Sequence, residues 1–143
     1  MIKRLIRFAR LPAPERRDLV AAIALCTLGG ALLRVMPFAR LARYVGRHMV
    51  QSPARPDRAT RDQARQIRWA IATAARQLPW KPVCLPQALA AQWMLRRVGI
   101  PSTLYFGIDP ARGYDAHAWV RAGQVIVAGG PVRRGFTVVS SFA

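Results

Sequence analysis

The chain is expected to adopt an α+β fold, with helices first and a small antiparallel sheet after them. Three observations lead there. Up to Gly99 the apolar residues recur at helical spacing between proline stops. After Pro101 the period shortens to two, and Ala122–Gly123 offers a two-residue turn between two strand-like runs. The helix that Cys84 opens is expected to pack on that sheet.

The elements follow in order. "LPAP", Leu11 to Pro14, reads as a break, and Pro14, Glu15 and Asp18 suit the first turn of a helix. The run "LVAAIALCTLGGALL", Leu19 to Leu33, is apolar but falls short of the roughly 20 residues of a bilayer span. Gly29 and Gly30 weaken it further, and Arg16, Arg17 and Arg34 bracket it. A buried core helix is favoured over a membrane-embedded one, with Cys26 as a small buried hydrophobe. "MPFARLARYVGRHMV" reads as a shorter amphipathic helix from near Pro37, and residues 51–60 as a polar connector. That connector separates an N-terminal helical segment, 1–56, from a core of 57–143, the two together forming one compact domain. A third helix, from Asp57 or Thr60 to Leu78, carries Ala64, Ile67, Ala70, Ile71 and Ala74 at helical spacing. Pro82 and Pro86 fence Cys84, so the fourth helix starts there and runs through Arg97 to the stop at Gly99 and Pro101. "STLYFGI", "AHAWVR" and "QVIVAG" are strands, and "FTVVSSF" adds another.

Composition bounds the function. The 143 residues hold 23 Lys plus Arg against 6 Asp plus Glu, a net charge of +17. Such a field attracts nucleic acid, anionic headgroups or acidic peptides. No zinc-finger spacing, helix-turn-helix pattern or aromatic-laced Arg helix is present, so no specific nucleic-acid partner is expected; peripheral membrane contact stays open. The two cysteines form no framework, and the opening residues never reach an apolar signal core with a cleavage site. A cytoplasmic, reduced protein, membrane-associated or not, is expected. With two histidines and no acidic cluster, neither metal nor cofactor is expected.

Cys84 is therefore the residue to explain. A thiol attacks as thiolate, and a helix N-terminus stabilises that anion through its dipole and free N–H groups. The same amides can hold the oxyanion of an attacked acyl group. His117 in "YDAHAWVRAGQ" is the candidate base, a strand histidine across from a helix-borne cysteine. Trp80 and Trp119 flank these two residues as candidate substrate-binding walls, with packing as their alternative role.

"CLPQALAAQWMLRRVGIPSTLYFGI", "AHAWV" and "VIVAGG", with "RFARLPAPERRDLV" and "MPFARLAR" upstream, resemble the transglutaminase-like peptidases that remove the leader from lasso-peptide precursors. The resemblance covers most of the chain. It implies a papain/transglutaminase-like fold, Cys84 as nucleophile, His117 as general base, and a leader–core precursor peptide as substrate. It also implies two partners: a separate leader-recognition protein and a macrolactam-forming cyclase. The chain would be the stand-alone protease half.

One position departs from that family. A triad needs a group to orient the imidazole, and relatives place an acid about a dozen residues after the histidine, on the next strand. With the turn at Ala122–Gly123, His117 would pair with Ala128, and no carboxylate lies near it. After Cys84 the acids are Asp109, read as a turn former, and Asp115, which shares a strand face with His117 and is the candidate third residue. Gln124, a main-chain carbonyl or a bare Cys–His dyad are the alternatives. Gln87 reads as surface or as an oxyanion donor, and Gln92 and His48 carry no catalytic reading. Acyl transfer to an amine, or a non-catalytic peptide-binding scaffold, are the competing functions.

Overall fold

The computed structural model describes residues 6, 8–53, 57–132 and 135–143. Four helices come first: α1 (Ala13–Val35), α2 (Phe38–Val45), α3 (Arg58–Gln77) and α4 (Cys84–Arg97). Four strands follow: β1 (Thr103–Asp109), β2 (Asp115–Ala122), β3 (Val125–Ala128) and β4 (Thr137–Phe142). All pairings are antiparallel, in the order β3-β2-β1-β4. The α+β expectation holds, including the change of period after Pro101. Within the 51–60 connector, residues 54–56 lie outside the described residues, as does Arg7 at the start of "RFARLPAPERRDLV".

The helix ends follow local chemistry. Pro12 precedes α1, and Pro14 lies in its first turn, where a missing N–H costs nothing. Asp57 caps α3, its Oδ1 accepting the Thr60 N–H at 2.7 Å. Helix α4 is the centre of the molecule: α1, α3 and strands β1, β2 and β3 all pack on it. Its buried residues include Ala88, Leu89, Ala90, Ala91, Met94 and Leu95, small side chains alternating with large ones so that neighbours approach from several sides. One continuous core runs from Leu19 and Cys26 of α1 through Ile67, Ile71, Leu89 and Leu95 to Leu104, Val120, Val127 and Phe142.

Two expectations need correction. The β2–β3 turn falls at Gly123–Gln124, since Ala122 pairs with Val125, and a bulge between Val120 and Arg121 brings Ala128 opposite Val120. The moved turn shifts each pair by two residues and the bulge by one more, so His117 lies beyond the end of β3 rather than opposite Ala128. Helix α1, expected to be a buried core helix, is buried along one face: Leu19, Ala22, Cys26 and Gly29 are enclosed, while Val20, Leu28 and Val35 are exposed.

Candidate active site

The start of α4 carries the thiol. Its N-cap, Val83, offers no side-chain acceptor, and Pro86 has no N–H. The amides of Cys84 and Leu85 have no hydrogen-bond partner among the described residues. Two unpaired donors at a helix N-terminus are what a thiolate or an oxyanion requires. Gln87, read from the sequence as surface or oxyanion donor, is half-buried, and its Nε2 donates to the Pro82 carbonyl at 2.6 Å. That bond ties the Trp80–Val83 approach to the helix it feeds.

The two cysteines differ. Cys26 is fully buried, and burial pushes its thiol up to about 11. Cys84 is half-buried at the edge of the core, so it is the thiol with access to a substrate.

His117 sits on β2 opposite Gly107 of β1. Alternation turns it to the face that carries Trp119 and Tyr105, while Ala118 and Val120 join the helix-facing core. Its Nε2 lies 2.7 Å from the carbonyl oxygen of Gly129. A carbonyl only accepts, so Nε2 donates this bond, and in the neutral ring the lone pair is on Nδ1. The imidazole also stacks on Trp119, with centroids 6.0 Å apart, and packs against Phe136 at 5.4 Å. Trp119 in turn stacks on Tyr105, whose hydroxyl accepts from Arg121, and Arg121 donates onward to the Ser52 carbonyl. The ring is thus held by a hydrogen bond on one edge and aromatic contacts on its flanks.

Two glycines make this arrangement fit. A Cβ at Gly107 would stand 2.8 Å from the Trp119 indole, so the absent side chain is where the ring lies. Gly129 has φ +92, and a Cβ there would sit 2.5 Å from the Ala118 carbonyl oxygen.

The candidate residues thus fall into two groups. Asp115, His117, Gly129, Pro131 and Phe136 line one cavity of about 350 Å³. Asp115 is exposed and makes no hydrogen bond to His117 among the described residues. Trp80, 48% exposed, lines a different cavity of about 520 Å³ beside Pro82, Leu85 and Phe38, next to Cys84. Trp119 is buried. Helix α4 packs directly on β2, yet Cys84 Sγ and the imidazole share no hydrogen bond among the described residues. The feature that residue types could not reveal is the Gly129 carbonyl. Its signal was the interval: Gly129 is 12 residues after His117, about the spacing at which the resemblance implies an acid. No group of His, Cys, Asp and Glu suited to a metal occurs among the described residues.

A cysteine opening a central helix, and a histidine on the adjoining antiparallel sheet, define the class of fold that cysteine proteases and acyl transferases use. The transglutaminase-like superfamily model matches residues 32–141, and the chain belongs to that superfamily. No curated protein and no solved structure matches the chain.

Proposed function

We propose that the protein is a cysteine peptidase that removes the leader from a lasso-peptide precursor. The observation that carries this reading is the hydrogen bond between His117 Nε2 and the Gly129 carbonyl. With Nε2–H donated to Gly129, Nδ1 is the free base, and the orientation that an acid supplies in relatives comes here from a main-chain oxygen.

In the proposed cycle, Nδ1 takes the Cys84 proton as Sγ attacks the scissile carbonyl. The C–N bond breaks and the proton passes to the departing amine, so the core peptide leaves with a free N-terminus. The leader remains as a thioester until water, deprotonated by the same nitrogen, releases its carboxylate. The free amides of Cys84 and Leu85 receive the oxyanion in both halves. His117 lies on the sheet face that carries Trp119 and Tyr105, the reverse of the face on which α4 packs, so the reading requires the end of β2 to bring Nδ1 to Sγ in the substrate complex. The leader-recognition protein presents the substrate, and the cyclase consumes the product.

The test is cleavage of a lasso-peptide leader–core precursor, with a leader-recognition protein added. Wild type is expected to cut between leader and core, Cys84→Ala and His117→Ala to leave the precursor intact. A wild type that cuts nothing would sink the reading. The missing Cys84–His117 hydrogen bond favours one other function, a peptide-binding scaffold, and cleavage that depends on Cys84 removes it. A product with the leader joined to an added amine would instead mark acyl transfer.

A further inference from the structure

Between Leu19 and Leu33 helix α1 is apolar but for Thr27, yet it is packed on one side. Leu19, Ala22, Cys26 and Gly29 are buried, and the helix contacts α3 and α4. The opposite stripe, Val20, Ala24, Leu28, Ala31 and Val35, repeats at intervals of three and four residues. Val20 is 51% exposed, Leu28 48% and Val35 77%. Only 22% of its most apolar stretch is buried. A surface helix ordinarily turns charge outward, and an all-round apolar helix is one that other apolar matter covers.

Charge says what covers it. From Leu19 to Pro53 the sequence has no Asp or Glu, but it has Arg34, Arg40, Arg43 and Arg47, all exposed. Arg16 stands at the other end of the stripe, also exposed, while its neighbour Arg17 is paired with Asp18 at 3.8 Å. Tyr44, next to Arg43 in α2, is 69% exposed. An apolar protein surface leaves those arginines unmatched, and an acidic one leaves the stripe unmatched. A bilayer with anionic headgroups matches both, with acyl chains under the stripe and phosphates at the guanidinium groups. The inner face of α1 is part of the protein core, so the helix lies along the bilayer surface and does not cross it.

We propose that α1, with the arginines of α2, is an in-plane anchor that holds this protein on an anionic membrane. The inference is independent of the reaction at Cys84.

The experiment is co-sedimentation of the full chain with vesicles of phosphatidylcholine plus phosphatidylglycerol, and with phosphatidylcholine alone. It is run at low salt and at about 0.5 M salt, where surface charge is screened within roughly 4 Å. Wild type should pellet with the anionic vesicles and keep a substantial bound fraction in high salt. The pair Val20→Glu with Leu28→Glu should lower that salt-resistant binding by about tenfold or more. Val35→Glu, at the freest end of the stripe, should act in the same direction. The pair Ala111→Glu with Gln124→Glu changes net charge equally in exposed turns and should leave it intact. Circular dichroism melts confirm that each variant is folded. Three outcomes overturn the proposal: no pelleting of wild type, full release by salt, or equal loss in both charge-matched pairs. So does a stripe that controls only self-association, read by light scattering, with no vesicle bound.

Discussion

At the scale of single residues, the group facing Nε2 of His117 is a carbonyl oxygen, which has no protonation state of its own. Asp115, exposed and unbonded to the ring, should therefore matter little: Asp115→Asn is expected to keep kcat/KM within about threefold of wild type, a barrier change of about 0.7 kcal/mol. A fall of about a hundredfold would restore Asp115 as the orienting acid. Gly129 is the position to disturb instead. Gly129→Ala puts a Cβ against the Ala118 carbonyl at positive φ, so it should cost about 1–3 kcal/mol of stability and lower cleavage even where the protein still folds. Thiol chemistry gives a second check. Iodoacetamide near neutral pH should modify Cys84 in the folded protein and spare Cys26, whose pKa burial raises to about 11. Because that folded value lies above the unfolded one, the stability tied to Cys26 is complete below about 9 and declines as pH rises toward about 11. The interval from His117 to Gly129 was legible in the sequence. What fills it was not, because every residue carries a carbonyl and only the bulge after Val120 aims this one.

Among the elements, α4 was the most legible, since Pro82, Pro86, Gly99 and Pro101 punctuate both of its ends. The role of Gln92 within it was not. A lone amide in an apolar helix gives no sign of the carbonyls that will surround it. Folded, Gln92 is buried; its Nε2 donates to Val45 at 3.2 Å and to Phe142 at 3.4 Å, and its Oε1 accepts the Ser102 hydroxyl at 2.9 Å. One side chain thus joins the end of α2, the end of β4 and the approach to β1. Gln92→Leu leaves the carbonyls of Val45, Ser102 and Phe142 and the Ser102 hydroxyl without that partner and should destabilise by about 2–4 kcal/mol, read as a lower urea midpoint at unchanged slope. A loss below about 0.5 kcal/mol, the range of ordinary surface changes, would mean that water replaces the amide. The sheet register was not legible, because alternation fixes faces but announces neither the exact place of a turn nor a bulge.

For the whole molecule, the family match and the core disagree about where the fold starts. The match begins at residue 32, late in α1, whereas the core takes in Leu19, Ala22 and Cys26 from earlier in the same helix. Removing everything before Leu32 would expose the faces of α3 and α4 that α1 covers, including surface around Ile67 and Leu89. Burial of Leu19 alone is worth about 2 kcal/mol, and with the partly buried Ile23 and Leu25 the loss reaches at least about 4 kcal/mol. A domain of this size has about 5–15 kcal/mol in all. The truncated chain 32–143 is therefore expected to lose its cooperative thermal transition or to aggregate, while a chain starting at Pro12 keeps it. If 32–143 instead melts cooperatively within a few degrees of the full chain, α1 is an appendage, and its inner face contributes little to the fold. The same result would leave α1 free to leave the core, and the in-plane geometry of the anchor would no longer be required.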